Sequence, residues 1–189
     1  PKGYNAIEYA ARLICHIRDV ADQFKAQGPY DELFDVPFTT MTTNQISGGI
    51  AINTIPEMCT FNYEFRNLPG MSADSIQAKV TSYVKDELLP RMQREFADAR
   101  IDIEAGAFAP ALEASEQAAI TALVRALTAD RDTRKVAYAT EGGLFQNVGI
   151  PTVVCGPGNI EQAHKANEFV EIAQLDACDR FLRKLGQSL

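Results

Sequence analysis

The feature that most constrains the fold is a strictly alternating run, CTFNYEFR, at residues 59–66. Successive side chains of an extended chain point to opposite faces, so this run places its apolar residues on one face and its polar residues on the other. The pattern predicts a half-buried strand, which is typical of an antiparallel sheet with one solvated face. Its apolar face needs a covering layer of helices.

Two amphipathic helices and two further strands are predicted around this run. Apolar residues spaced three and four apart predict a helix over residues 5–26, with a second helix after Ser72 that Pro90 kinks or ends. The threonine-rich residues 38–45 and the alternating residues 100–106 predict strands.

The predicted order over residues 1–107 is therefore α-β-β-α-β, a ferredoxin-like α+β layout without its first strand. The chain also begins with Pro1 and not with methionine, and no signal peptide is visible. We therefore expect it to be a piece of a longer protein whose upstream residues supply the missing strand.

Residues 108–189 follow a different pattern. A helix capped by Ser115 precedes a short strand at 136–139, an apolar strand at 150–155 and a final helix over 171–187 that is expected to bury its apolar face. Two strands do not make a complete α/β sheet. We expect this segment to be the C-terminal part of a larger α/β domain.

The charge balance excludes some partners. The chain has 18 Lys and Arg against 25 Asp and Glu, a net charge of −7, whereas nucleic acids and anionic membranes require a cationic face. No apolar run approaches the roughly 18 residues that span a bilayer. The four cysteines occupy apolar surroundings without a C-x-x-C pair, which predicts reduced, buried thiols in a cytoplasmic protein.

Polar and glycine-rich loops follow the two strands of the second segment. They are TEGG at 140–143 and GPGN at 156–159, and strand carboxyl ends are where open α/β sheets bind ligands. His164 follows closely and is either a metal ligand or base, or an ordinary surface residue. Glu141 either lies in the site, where it would meet a cationic amine, or caps the next helix.

Three residues of the first segment complete the candidates. Arg66 ends the alternating strand, where its guanidinium either grips a carboxylate or is a solvated charge, and Asn53 lies in the NTIP stretch that enters this strand. His16, on the first helix, is interpreted as a structural or surface residue.

Longer stretches resemble a known family. NAIEYAARLI, ISGGIAINTIPEMCTFNYEFRNLPG and TEGGLFQNVGIPTVVCGPGNIEQAHKANEFV are similar to segments of the dinuclear-zinc amidohydrolases and exopeptidases, which include desuccinylases, aminoacylases and glutamate carboxypeptidases. The resemblance implies a ferredoxin-like lid, or dimerisation, domain over 1–107, followed by the C-terminal part of the catalytic α/β domain over 108–189.

The resemblance also implies roles for individual residues. His164 corresponds to a zinc ligand, and Asn53 and Arg66 to substrate-carboxylate contacts. The glycine loops correspond to the wall beside the metals. The implied site residues are Asn53, Arg66, Thr140, Glu141, Gly156, Gly158, Asn159 and His164. The implied cofactor is a pair of zinc ions, with cobalt as the implied substitute.

The implied activity is zinc-dependent hydrolysis of an N-acyl amino acid, with N-acetyl-L-ornithine, a substrate of arginine biosynthesis, favoured. Succinyl-diaminopimelate and acyl-glutamates are alternatives, as is a non-catalytic dimerisation or binding module. The implied assembly is a homodimer formed through the lid. The other metal ligands and the catalytic glutamate are expected upstream of Pro1, so no catalytic residue is assigned here and this piece alone is predicted to be inactive.

Overall fold

A computed structural model describes residues 3–188. The chain divides into two compact units, Pro1–Phe108 and Ala109–Leu189. Within residues 3–188, no helix combines the length and apolar character needed to cross a membrane.

The first unit begins with helix α1, Ala6–Gln27. The Asn5 side chain accepts hydrogen bonds from the backbone N–H groups of Ile7 and Glu8, and its amide donates to the Glu8 carboxylate at 3.1 Å. This reciprocal cap satisfies donors that a helix start leaves unpaired. Gly28 ends the helix at a φ of 73°, a conformation that glycine adopts without steric cost. The helix predicted over residues 5–26 is confirmed.

Two antiparallel strands form the sheet: β1, Thr40–Gly48, and β2, Cys59–Arg66. The alternating run is a strand over its full predicted length. Its neighbour starts later and runs further than the predicted 38–45. The register shifts between Thr43 and Gln45, which forms a β-bulge in β1. The apolar face of β2 nevertheless packs against the helices.

The second helical segment comprises α2, Ala73–Tyr83, a wide π turn, Val84–Leu88, and α3, Leu89–Glu95. Pro90 explains the wide turn, because proline has no N–H to donate and its ring clashes with the carbonyl four residues earlier in a regular helix. The predicted effect of Pro90 is therefore observed as a local widening of the helix.

The core of the first unit lies between these helices and the apolar face of the sheet. Ile76 and Val80 are completely buried, and Ile17 is 1% exposed. The buried residues of this cluster are Tyr9, Leu13, Ile17, Val20, Phe24, Met41, Ile76, Val80, Val84, Leu88, Met92 and Ala99. Their spacing on the helices is the three- and four-residue spacing seen in the sequence.

Two tyrosines reach polar partners at the margin of this core. The Tyr9 hydroxyl donates to the Glu95 carboxylate at 2.7 Å and so joins α1 to α3. The Tyr63 hydroxyl donates to the Gln77 side chain, also at 2.7 Å. Burial is the main cause that raises the pKa of both phenols, so both remain protonated donors at neutral pH.

The prediction of a strand at residues 100–106 is wrong. These residues form no ladder, and the sheet of the described chain has two strands. Ile101 still packs against the core, whereas Ile103 is exposed. The alternation predicts that Ile101, Ile103 and Ala105 share a buried face, but Ile103 and Ala105 are exposed. A strand also requires a hydrogen-bonded neighbour, which this segment lacks among residues 3–188.

Residues 109–188 form three helices: α4, Ala119–Thr128, α5, Gly142–Asn147, and α6, Ile172–Ser188. A short 3-10 turn spans Ile160–Gln162. α4 starts after Ala118 and not at Ser115, although the Thr121 hydroxyl donates to the Ser115 carbonyl at 2.8 Å and holds this turn against the helix.

The strands predicted at 136–139 and 150–155 do not form within the described residues of this unit, and the final helix does not bury its predicted face. Both differences have one cause, since the described residues of this unit form no strand ladder against which a helix or another strand could pack. The apolar residues of α6 are exposed or half-buried: Ile172, Leu175, Cys178, Phe181, Leu182 and Leu185.

The four cysteines are free thiols, as predicted, but they are not buried. Cys15 and Cys155 are exposed, and Cys59 and Cys178 are half-buried. Desolvation still raises the pKa of Cys59 and, together with the neighbouring Cys178 thiol and Asp130, that of Cys155. Both groups are therefore protonated and weakly nucleophilic at neutral pH.

Candidate functional site

Arg66 lies at the last position of β2, on the polar face of the sheet. It is paired across the ladder with Thr40, and Glu64 is paired with Thr42. The Arg66 Nε atom lies 3.6 Å from the Glu64 carboxylate, and the two side chains are 62% and 53% exposed. Because alternate residues of a strand share a face, both charges project from the same side of the hairpin.

The turn after β2 holds Arg66 in place. Thr39 is completely buried, and its hydroxyl accepts a hydrogen bond from the Leu68 N–H at 3.3 Å and contacts the Met71 sulfur at 3.0 Å. The Asn67 side-chain amide donates to the Met71 carbonyl at 2.9 Å. These bonds fix the chain on the C-terminal side of Arg66, so its Cα position is set by buried contacts.

Asn53 lies in the connection between β1 and β2. The Thr54 N–H donates to the Ala51 carbonyl at 3.3 Å, which closes a turn around Asn53, and the Ala6 N–H donates to the Pro56 carbonyl at 3.0 Å. Asn53 itself is exposed. Apolar side chains on the same connection are exposed as well: Ile50, Ile52, Ile55 and Met58.

Asn53 and Arg66 lie at opposite ends of the hairpin. Between Cys59 and Arg66 the strand advances about 23 Å, at about 3.3 Å per residue, and Asn53 lies beyond the Cys59 end. One copy of the chain therefore does not bring these two side chains to the same small carboxylate. The sequence order agrees with this separation, because Asn53 precedes the predicted strand and Arg66 ends it.

In the second unit, the TEGG loop forms the start of α5. The Thr140 hydroxyl accepts a hydrogen bond from the Gly142 N–H at 3.0 Å, and the Glu141 carbonyl accepts from the Leu144 N–H at 2.9 Å. Glu141 occupies the N-cap position, but its side chain makes no capping hydrogen bond and is exposed. The side-chain capping role considered for Glu141 is thus carried out by Thr140.

Gly143 has a packing role that sequence analysis missed. A Cβ atom at this position would lie 2.0 Å from the Pro110 carbonyl oxygen, far inside ordinary van der Waals contact. The backbone at residues 110–111 therefore packs directly on α5 at a position that has room only for glycine. A glycine pair after a predicted strand was the available signal, but it does not specify the neighbour.

The GPGN loop is held at its second half. The Asn159 side chain accepts a hydrogen bond from the Glu161 N–H at 2.9 Å, and the Gln174 amide donates to the Gly158 carbonyl at 3.3 Å. Gly158 has a φ of 113°, which side-chain-bearing residues rarely adopt. Gly156 has open space around its Cα, and an added Cβ would meet no atom within 4 Å.

His164 lies in an exposed turn and also adopts a positive φ, 61°. Its backbone N–H donates to the Glu168 carboxylate at 3.2 Å, so that acid holds the turn. Among residues 3–188, no three His, Cys, Asp or Glu side chains are grouped so as to hold a metal ion. Since catalytic zinc takes about three protein ligands, the described residues do not form a zinc site by themselves. The metal-ligand role of His164 therefore stays a prediction.

His16, the other histidine, has a structural environment. Its ring stacks on Tyr83 with a centroid distance of 4.0 Å and an interplanar angle of 8°. Its Nε2 atom lies 3.2 Å from the Lys79 carbonyl, which identifies this nitrogen as the donor. The interaction joins α1 to α2, in agreement with the structural role expected for His16.

Residues 1–92 match the family described as peptidase dimerisation domain. This match confirms the resemblance found in the sequence and is consistent with the α+β hairpin unit. The particular proteins that it resembles are acetylornithine deacetylases. It is 30% identical over 185 residues to that of Pasteurella multocida (strain Pm70), and 28% identical over 183 residues to that of Buchnera aphidicola subsp. Acyrthosiphon pisum (strain Tuc7).

Each alignment covers 97% of this chain and 46% of the relative. The chain therefore spans about half the length of the curated relatives it matches. The similarity extends through both units and is not confined to the dimerisation domain.

Proposed function

We propose that this chain is part of a metal-dependent amidohydrolase that removes the acyl group from an N-acyl amino acid, with N-acetyl-L-ornithine as substrate and ornithine and acetate as products. The observation that carries the proposal is the extent of the alignment with acetylornithine deacetylases, which runs through 97% of the chain. A dimerisation module shared by otherwise different enzymes would account for the first unit only.

In this proposal Arg66 binds the carboxylate of the substrate. A guanidinium presents a planar fork of donors that matches a carboxylate with two parallel hydrogen bonds. Two observations support this role. Arg66 is exposed on the polar face at the end of β2, and the turn that follows it is held by a hydrogen bond to the buried Thr39 hydroxyl.

Asn53 takes part in the site of a second copy in this proposal. Because about 23 Å of strand separates the two ends of the hairpin, Asn53 and Arg66 of one chain contact two different substrate molecules. A homodimer satisfies this geometry if the β1–β2 connection of one copy reaches the site of the other. The match to a dimerisation domain and the exposed apolar residues around Asn53 support this assembly.

The second unit contributes the remaining candidates, with His164 as one zinc ligand, a position that cobalt would also accept. The loop residues proposed to line the substrate pocket are Thr140, Glu141, Gly156, Gly158 and Asn159. The described residues hold no complete metal site, so we assign no hydrolytic step to this chain, and we expect the 189-residue chain alone to be inactive.

The test is an assay of the complete protein encoded by the gene. Ornithine release from N-acetyl-L-ornithine is compared with hydrolysis of N-succinyl-diaminopimelate and N-acetyl-glutamate. Arg66→Ala is expected to lower kcat/KM about 10- to 100-fold, mainly through KM, because a charged hydrogen bond of about 1.5–3 kcal/mol is lost. Arg100→Ala removes a similarly exposed arginine of the same unit and should leave the kinetics unchanged.

Failure to hydrolyse any of these substrates would refute the proposed activity. A second candidate, a non-catalytic dimerisation module, is favoured only by the family match of residues 1–92. It predicts a dimer in sedimentation experiments together with no hydrolysis. A monomer that hydrolyses N-acetyl-L-ornithine would instead contradict the two-copy role of Asn53.

A further inference from the structure

Glu64 and Arg66 form an opposite-charge pair on the solvated face of the hairpin. The distance from Arg66 Nε to the Glu64 carboxylate is 3.6 Å, which exceeds that of a hydrogen bond, and both side chains are more than half exposed. A pair of this kind contributes little to stability. Glu64 thus retains acceptor capacity on the face where Arg66 is proposed to bind a carboxylate.

The surroundings favour a ligand with two charges. Directly across the ladder, Thr42 faces Glu64 and Thr40 faces Arg66. These residues are short and uncharged, so β1 presents no competing charge at the two positions. One anionic and one cationic group therefore stand side by side, with hydroxyls beside them.

The backbone spacing of the two residues is close to the length of a diamino acid, although their charged groups lie 3.6 Å apart. Residues two apart in a strand have Cα atoms about 6.6 Å apart. In an extended ornithine, the carboxylate carbon and the side-chain nitrogen lie about 6 Å apart from ordinary bond lengths. A carboxylate at Arg66 can therefore place an ammonium at Glu64, with the substrate lying along β2.

We propose that Glu64 binds the side-chain ammonium of the substrate while Arg66 binds its carboxylate, so that Glu64 selects acyl amino acids with a cationic side chain. This inference rests on the proposed function and deepens it, since it names the residue that distinguishes acylated diamino acids from acylated neutral ones. The pair is then a recognition element whose two charges separate when the substrate binds.

The experiment compares two substrates on the complete protein: N-acetyl-L-ornithine, and N-acetyl-L-norvaline, which has the same carbon chain without the amine. Glu64→Gln removes the charge at nearly constant size. It is expected to lower kcat/KM for N-acetyl-L-ornithine about tenfold, or about 1.4 kcal/mol, and to leave that for N-acetyl-L-norvaline unchanged. Glu64→Asp should retain part of the preference. Glu104→Gln, an equal charge change on the same unit, is the control.

The outcomes distinguish failure of the proposed function from failure of the role proposed for Glu64. A wild-type protein that hydrolyses neither substrate overturns the proposed function, and the role of Glu64 with it. Hydrolysis by the wild type, with equal losses on both substrates in Glu64→Gln, leaves the function intact and shows that Glu64 only positions Arg66. A selective loss in Glu141→Gln, and none in Glu64→Gln, assigns the ammonium to Glu141 and overturns the inference.

Discussion

Replacing Gly143 with alanine tests the close backbone contact beneath the TEGG loop. Gly143 lies in α5 with no positive φ, so helix propensity alone predicts that alanine stabilises the helix by about 1 kcal/mol. The structure predicts the opposite sign. The new Cβ would lie 2.0 Å from the Pro110 carbonyl oxygen and 3.0 Å from the Ala111 carbonyl oxygen.

The neighbours of this Cβ are backbone atoms, which yield less readily than the end of a side chain. Relieving the contact requires a shift of more than 1 Å, because ordinary contact begins near 3.4 Å. Overpacking of this kind costs about 1–3 kcal/mol and occasionally more. With about 3 kcal/mol for a backbone clash and a gain of about 1 from propensity, the net loss is about 2 kcal/mol.

The assay is urea denaturation followed by far-ultraviolet circular dichroism, since the chain has no tryptophan to report by fluorescence. Hydrogen exchange of residues 142–147 then locates the effect in α5. Gly156→Ala is the matched control, because its added Cβ meets no atom within 4 Å. A Gly143→Ala midpoint equal to or above that of the wild type would refute the contact argument.

Three further predictions concern stability. Asn5→Ala should destabilise the protein by about 1 kcal/mol in urea denaturation, because it removes the cap of α1. Ile17→Ala should destabilise it by about 2–5 kcal/mol in the same assay, because it leaves a cavity in the core. Hydrogen bonds, chiefly from Arg125 and then from Thr133, hold the pKa of Glu116 below its ordinary value. Since the folded pKa is the lower one, the stabilisation is complete above the ordinary carboxyl pKa and is lost as the pH falls through the folded value. Acid titration monitored by hydrogen exchange around Glu116 should show this loss, and Glu116→Gln should abolish its pH dependence.

Local patterns predicted the first unit well. Alternation located β2 over its full length, and apolar spacing with the Asn5 cap located α1. These features depend on neighbours in sequence, which a single chain displays directly. The effect of Pro90 was likewise local, and it takes the form of a π turn at Val84–Leu88.

The second unit was predicted less well because its elements depend on distant partners. The apolar run at 150–155 has the composition of a buried strand, yet a strand exists only where another strand completes its hydrogen bonds. The apolar face of α6 likewise needs a surface to cover it. Composition reports the tendency of a segment, and the described residues of this unit provide no ladder that would realise it.

The candidate site shows the same division. The residue types that suit carboxylate recognition, Arg66 and Asn53, could be selected from the sequence, because their chemistry is intrinsic to the side chain. The predicted strand already placed Glu64 and Arg66 on one face and Asn53 beyond its other end, whereas only the tertiary structure paired Arg66 with Thr40 and brought Pro110 against Gly143. Sequence determines what a side chain is able to do and which local element holds it. The packing of elements determines which side chains meet, because distances between residues far apart in the chain depend on the whole fold.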